Sequence, residues 1–356
     1  MATPDLYDMT REELSAWFTE RGHPRFRADQ VFRWLHANLA RSFDEMTDLP
    51  AALRQELAAA FAIGPLEPVA TSEAPDSTKL LLSLADGQTV ECVRMRTGPQ
   101  TASLCVSSQV GCAIRCAFCA SGCAGLVRNL SAGEIIVQTL TLRALVGPAR
   151  NVVFMGMGEP LHNLDAVLKA VALLTDKGGW GLSPQRITVA TSGIAAGILR
   201  LAAEGPAVEL ALSLNAPTDE LRRELMPGVR DPLADVLAAC DEFSARHGGQ
   251  PVTFAYVLLR GVNDQPEHAA ALAHLLTGRR HHVNLIPYNA VEGLPFERPA
   301  KREAEAFRGR LERAGLNVTL RRSRGQSINA ACGQLRLAGC SPSSDCGTRA
   351  TARGGP

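Results

Sequence analysis

Residues 105–130 read CVSSQVGCAIRCAFCASGCAGLVRNL, and within them Cys112, Cys116 and Cys119 fall at the spacing C-x3-C-x2-C. Three thiols this close belong to one tight loop. Such thiolates ligate iron–sulfur clusters. Three of them can hold three irons of a [4Fe–4S] cluster, leaving the fourth iron open to another ligand. A structural zinc site is the plainer reading, because Cys123 completes a four-cysteine set. Structural zinc usually draws two ligand pairs from separated segments, and four cysteines this close would be cramped. As a fourth cluster ligand Cys123 would close the open iron; the reading preferred is a packed small residue.

The cysteine loop lies just past a change of pattern. From about residue 100, short apolar runs alternate with helix-like stretches. The runs are 102–106, 151–155, 186–190, 208–214, 252–258 and 283–286, with 318–320 as a seventh. The helical stretches are 131–146, 164–175, 194–203, 232–246, 266–276 and 300–314. Ser131 followed by Glu134 fits a capping box at the first of them. Repeated strand–helix units predict an α/β fold, either a parallel sheet or a barrel. Ligands of such folds sit at the C-terminal ends of the strands, so the chemistry is sought in the residues that follow each run.

Upstream, 11–20, 27–39 and 51–61 show apolar residues at helical spacing, punctuated by Pro24, Pro50 and Gly64-Pro65. Residues 79–84 and 88–95 flank Asp86-Gly87, a hairpin signal. The expected division is a helical accessory domain at 1–70, a β-hairpin linker at 71–98, a barrel core at 99–335 and a loose, Gly-rich tail at 336–356.

Composition narrows the class. The chain has 356 residues, 46% hydrophobic and 21% charged, which is ordinary for a globular protein. It has no apolar run of about 18 residues, so no membrane span is expected. Ten cysteines without a secretory leader point to the cytoplasm, where clustered cysteines bind metal or do chemistry. A net charge of +1 announces no nucleic-acid partner, so an RNA site must be a local patch. Candidates are Arg298, Lys301, Arg302, Arg308, Arg310, Arg313, Arg321, Arg322 and Arg324, with Arg25, Arg27, Arg33 and Arg128. A solvated helix face explains 298–313 equally well.

The cysteine spacing, with Phe118 before the third thiol, resembles the signature of the radical S-adenosylmethionine (SAM) superfamily, in which the open iron binds SAM. The resemblance extends further. Residues 105–130, NVVFMGMGEP at 151–160, LALSLNAPTDELRRELMP at 210–227 and QSINAACGQL at 326–335 closely resemble the RlmN/Cfr family of radical SAM RNA methyltransferases. It runs from about 80 to 337. It implies a partial (β/α)6 radical SAM barrel with an N-terminal small helical domain, a β-hairpin extension, and two cofactors, a [4Fe–4S] cluster on Cys112, Cys116 and Cys119 and SAM. Positions matching Gly158, Glu159, Ser192, Ser213, Leu214, Asn215 and Asn289 contact SAM in that family; Asn215 stands where relatives often have His.

The resemblance also implies a mechanism that uses two SAM per turnover. Cys332 accepts a methyl group from one SAM, and a radical made from the second removes a hydrogen from it. The carbon radical adds to an adenine carbon, and Cys105 resolves the protein–RNA crosslink by forming a disulfide. Glu91, in Val90-Glu91-Cys92, is the implied base; read without the family it is a solvated strand carboxylate. The implied partners are 23S ribosomal RNA, in some members transfer RNA beside the anticodon, and a one-electron reductase such as flavodoxin, with the enzyme a monomer. The motifs are shared by RlmN-type enzymes, which make 2-methyladenosine, and Cfr-type enzymes, which methylate carbon 8 of the same adenosine and confer antibiotic resistance. The RlmN type is favoured and the regiochemistry stays open. A non-catalytic iron–sulfur or zinc RNA-binding protein is the reading from another class. Cys92, Cys123, Cys240, Cys340 and Cys346 receive no role.

Overall fold

The computed structural model describes residues 5–63, 67–98, 101–123, 125–321 and 324–335. Three helices come first, α1 (Arg11–Glu20), α2 (Phe26–His36) and α3 (Ala51–Ala60). Thr10 and Glu13 close a reciprocal capping box at the start of α1. The helices bury Leu14, Phe18, Val31, Phe32, Leu35 and Leu57.

Three antiparallel strands follow, β1 (Pro68–Ala74), β2 (Ser77–Ser83) and β3 (Thr89–Gly98). The Asp86-Gly87 turn joins β2 to β3; Gly87 has φ +80 and Gln88 donates its N–H to Asp86 Oδ1 at 3.0 Å. The expected hairpin is thus part of a three-stranded meander. Strand β1, PVATSEA, was not anticipated because it lacks apolar alternation, and most of its residues are exposed.

Strand β4 (Thr101–Cys105) pairs antiparallel with β3 and parallel with β7 (Asn151–Phe154), so the meander runs straight into the barrel. Between them lie β5 (Gln109–Gly111), α4 (Ala120–Cys123), β6 (Leu126–Asn129) and α5 (Ala132–Val146). Then come α6 (Leu164–Thr175), β8 (Ile187–Thr191), α7 (Ala195–Glu204), β9 (Glu209–Ser213), α8 (Asp219–Leu225) and α9 (Leu233–Arg246). The series ends with β10 (Val252–Leu258), α10 (Pro266–Leu276), β11 (His281–Pro287), α11 (Lys301–Arg313) and β12 (Val318–Leu320). The sheet order is β1-β2-β3-β4-β7-β8-β9-β10-β11-β12, parallel from β4 onward. β4 and β12 lie at opposite ends of the parallel run, which makes the barrel partial. The Ser131–Glu134 capping box opens α5 as read from the sequence.

The first helices are fastened to this barrel. Asp8 Oδ1 caps α5 by accepting from Gly133 N–H at 2.6 Å. Lys169 on α6 pairs with Glu13, and Arg11 pairs with Asp176 just past α6.

The register divides the barrel strands into two faces. Val189, Leu210, Leu212, Phe254, Tyr256, Val283 and Leu285 are buried on the outer face. Ala190, Ala211, Ser213, Thr253, Ala255 and Asn284 occupy the inner one and line a cleft. Barrels of this size are ordinarily filled by bulky inward side chains. Here Ala190, Ala211, Ser213 and Ala255 are small, with Val257 and Ile286 the larger members of the same face, which leaves room for a ligand.

Candidate active site

The cysteine loop is held by main-chain bonds on every side. β5 and β6 pair antiparallel beneath it, and Cys112 N–H donates to Gly125 O at 2.8 Å. Ala117 N–H donates to Leu225 O at 2.9 Å, and Gly228 N–H to Ile114 O at 2.8 Å, which docks the loop on α8. Ala120 N–H reaches Gly333 O at 2.8 Å in the C-terminal segment. Ile114, Phe118, Leu225, Met226 and Leu259 pack around the loop in a small apolar cluster of their own.

Cys112, Cys116 and Cys119 all line the cleft. Burial pushes the three thiols up, Cys112 to about 12. Anionic sulfur is therefore costly there unless a positive ion binds it, and metal coordination deprotonates a thiol outright. Among the described residues, no three His, Cys, Asp or Glu converge closely enough to hold a single metal ion. A cubane cluster needs a different arrangement, with each thiolate on its own iron. Cys123 does not line the cleft, and its thiol donates to Cys119 O at 3.5 Å.

The strand-end motifs meet at the same cleft. Gly158 has φ +103, and a Cβ there would stand 2.6 Å from Gln109 Cβ, so the turn after β7 admits only glycine. Glu159 is buried. Its Oε1 accepts from Leu161 N–H at 3.0 Å, its Oε2 accepts from Ser192 N–H at 2.7 Å, and its own N–H donates to Gln109 Oε1 at 2.8 Å. That carboxylate ties the ends of β7 and β8 together. Two contacts leave lone pairs free for a ligand ammonium. Ser192 Oγ is buried with no protein partner, an orphan consistent with a polar ligand in the cleft. Ser213, Asn215 and Asn289 line the cleft as well. Asn215 has φ +56, a region Asn tolerates, and its Oδ1 accepts from Val257 N–H at 2.9 Å. Leu214 does not line the cleft; its side chain is in the main core and its N–H donates to Ala255 O at 2.9 Å. The three thiols and the orphan hydroxyl suit an iron–sulfur cluster with SAM beside it.

Two further thiols complete the site. Cys332, half-buried, lines the cleft and an adjoining pocket shared with Met95, Arg321, Arg324 and Ala331. Cys105, the last residue of β4, is buried. Burial and then the nearby Cys332 push its thiol up to about 12, against the pull of Arg321 and a hydrogen bond from Met155 N–H. Both thiols are free. Glu91 is no solvated carboxylate: it is 6% exposed and pairs with Lys79 Nζ at 2.8 Å. It lies two residues from Val93, the register partner of Cys105, and so on the same face of the sheet. Lys79 Nζ also donates to Asn329 O at 3.1 Å, close in sequence to Cys332.

Known proteins match this arrangement. Residues 4–63 match the family model described as the ribosomal RNA large subunit methyltransferase N-terminal domain, and residues 106–273 match the radical SAM superfamily. A probable dual-specificity RNA methyltransferase RlmN from Rhodopirellula baltica is 48% identical over 93% of this chain and 90% of its own length. One from Moorella thermoacetica is 46% identical over 94% and 97%. The chain belongs to the RlmN family of radical SAM enzymes. A crystal structure of a radical SAM methyltransferase from Sphaerobacter thermophilus superposes with a TM-score of 0.89 at 43% identity, covering 94% of this chain and 99% of that one.

Within this RlmN-family site several contributors carried no signal of their own in the sequence. Gln109 orients Glu159 and also donates to Asn129 Oδ1 at 2.8 Å. Asn263 donates to Asn215 O at 2.8 Å and to Val257 O at 2.7 Å. Arg222, fully buried, donates to Ser192 O. Each is a common polar residue whose meaning comes from a distant partner.

Among the basic residues, Arg321 lines the cleft and Arg324 the adjoining pocket. Arg128 is instead engaged by Asp86 and Glu134, and Arg308 by Glu305 and Glu312. Arg322, Cys340, Cys346 and the tail at 336–356 lie outside the described residues. No helix among the described residues is long and apolar enough to cross a membrane.

Proposed function

We propose that this radical SAM enzyme methylates RNA, forming 2-methyladenosine in 23S ribosomal RNA, with transfer RNA beside the anticodon as its second substrate class. One observation carries the reading: Cys332 lines the same cleft as Cys112, Cys116 and Cys119, with Cys105 buried next to it. A thiol outside the cluster set, facing the cofactor cleft, suits a carrier of the methyl group. When bound, the [4Fe–4S] cluster and SAM supply a methyl donor and a one-electron route to a carbon radical. An aromatic ring carbon is a poor nucleophile, so polar methyl transfer to it is unfavourable and a radical route avoids the difficulty.

The chain's own residues do the rest. Glu159, Ser192, Ser213 and Asn289 orient SAM at the strand ends. Cys332 holds the methyl group, and its sulfur becomes the link to the base. Cys105, on losing its proton, attacks that sulfur as the thiolate; the S–CH2 bond breaks, the Cys105–Cys332 disulfide forms, and the released carbon takes up a proton to become the ring's methyl group. Glu91, paired with Lys79 Nζ, takes the ring proton. Arg321 and Arg324, at the mouth beside Cys332, meet RNA phosphate, and the adenine leaves its stack to enter. The names of the relatives support the RlmN assignment over the Cfr type. The cytoplasm, a flavodoxin-class reductase and a monomeric state complete the proposal.

The test is an anaerobic reaction of cluster-loaded protein with SAM, a reductant and unmodified ribosomal RNA, followed by nucleoside separation against standards. The expected product is 2-methyladenosine. An 8-methyladenosine peak would move the protein to the Cfr type, and a loaded protein that leaves SAM uncleaved would sink the enzymatic reading.

A further inference from the structure

Helix α8 reads DELRREL, a charged heptapeptide of solvated appearance. Yet Arg222 in its middle is 1% exposed. One guanidinium nitrogen, Nη2, donates to Ser192 O at the turn after β8. The other two, Nε and Nη1, are buried with no protein partner. Gly193 makes this approach possible: with φ +96, a Cβ there would lie 2.8 Å from Nη2.

Arg222 has no ion-pair partner among the described residues. The two carboxylates that act on Arg222 electrostatically, Asp219 and Asp231, each also accept a main-chain N–H. Asp219 Oδ1 accepts from Leu233 N–H at 2.9 Å, and Asp231 Oδ2 from Ala195 N–H at 2.7 Å. An arginine stays protonated, and a buried cation without an anion is strongly disfavoured. Asp219 and Asp231 act on it only from beyond ion-pair distance, so among the described residues this positive charge has no direct ion pair and two guanidinium nitrogens are left for a bound anion.

The neighbourhood says which anion it is. One turn after Arg222, Leu225 O accepts the N–H of Ala117, the residue beside Cys116. Leu225 and Met226 also pack in the apolar cluster that surrounds the cysteine loop. The Arg222 guanidinium also lies within electrostatic reach of Cys116.

We propose that Arg222 is the counter-charge of the [4Fe–4S] cluster on Cys112, Cys116 and Cys119 and raises its reduction potential, while acting as a positioning residue for Ser192. The inference rests on the cluster assignment made above. Reduction adds one electron, and no proton or bond change is needed. The added negative charge is stabilised by a fixed cation in a dry site, and cluster potentials respond to net charge and to hydrogen bonds at sulfur. Arg222 thereby makes the electron needed for SAM cleavage easier to load.

The test compares wild type with R222K, R222M and R222Q, each reconstituted anaerobically. Iron and sulfide content and a redox titration followed by electron paramagnetic resonance are read without SAM or RNA, and SAM binding is then measured on the same preparations by equilibrium dialysis. R222M removes the charge with an apolar chain of similar reach, a change that buried ions often tolerate. R222Q retains a donor for Ser192 O and carries the test should R222M not fold. The expected result is full loading with the equilibrium constant for cluster reduction lowered at least tenfold in R222M and R222Q, about 59 mV for one electron, and a smaller change in R222K. Full loading with an unchanged potential overturns the proposal, and so does weakened SAM binding at unchanged potential, which would hand Arg222 to the SAM carboxylate. A wild-type protein that loads no cluster overturns the underlying assignment instead.

Discussion

Strand β4 and the segment 324–335 each hold one cysteine outside the cluster, Cys332 lining the cleft and Cys105 buried close to it, by opposite means. Cys105 is fixed by main-chain ladders: β4 pairs with β3 on one side and β7 on the other. Cys332 lies outside any helix or strand, and much of its hold comes from individual side chains. Asn289 Nδ2 donates to Cys332 O at 3.1 Å and Gln326 Nε2 to Asn289 Oδ1 at 2.7 Å. Gln334 Nε2 donates to Ala290 O at 2.7 Å, while its Oε1 accepts from Ala331 N–H at 3.1 Å. A ladder survives most side-chain changes, whereas a loop pinned by three amides does not. The thiols differ to match. Cys105 is buried and held protonated, and Cys332 is half-buried against the cofactor cleft. The difference suits one thiol that waits and one that works.

The largest effect should come from Cys332→Ala, which reduces RNA methylation to background while the iron–sulfur chromophore persists. Retained turnover, read as methylated nucleoside, would erase the division of labour. Cys105→Ala should leave the methyl carrier intact and lose multiple turnover, so a covalent protein–RNA adduct builds up as a shifted band on a denaturing gel. An inactive enzyme without that band would show that the strand cysteine does not resolve the link.

Gln334→Ala tests the amide pins. It removes two hydrogen bonds and orphans Ala331 N–H, for a stability loss of about 1–3 kcal/mol. Misplacing Cys332 by about 1 Å should cost kcat on the order of 10²-fold. An equal stability loss with unchanged kcat would mean the segment is held by its backbone after all.

The smallest effect concerns pH. The Cys105 thiol ordinarily titrates at 9.0 and is pushed to about 12 in the folded chain. Above pH 9 the unfolded chain gives up this proton and the folded chain keeps it, so stability falls as pH rises. The contribution is fully present below pH 9 and lost on the way to about 12. In denaturant titrations at several pH values, Cys105→Ala should show a shallower alkaline decline than wild type. Parallel curves would place Cys105 in a wetter setting than the strand provides.

Much of this frame was legible before any coordinates. The barrel strands and their helices came from alternating apolar runs, α5 from its capping box, and the β2–β3 hairpin from Asp86-Gly87. The site was legible where a motif ends a strand, because parallel α/β sheets place ligands there. The rest depends on partners far away in sequence. Strand β1 has no alternation to read. Arg128 looked like a phosphate contact, but Asp86 and Glu134 hold it. Leu214 shares a motif with Ser213 and Asn215, yet strand alternation turns it into the core. Glu91 read alone is a solvated charge and Arg222 carries no signal of its own, and only tertiary packing buries them.

The central claim is that Cys332 carries the methyl group. The direct measurement is peptide mass spectrometry of protein incubated anaerobically with SAM and reductant, with and without RNA. A methyl group on the Cys332 peptide that is depleted once RNA is added is the predicted result. Methyl on Cys105, or an unmethylated Cys332 in a preparation that turns over, would contradict it.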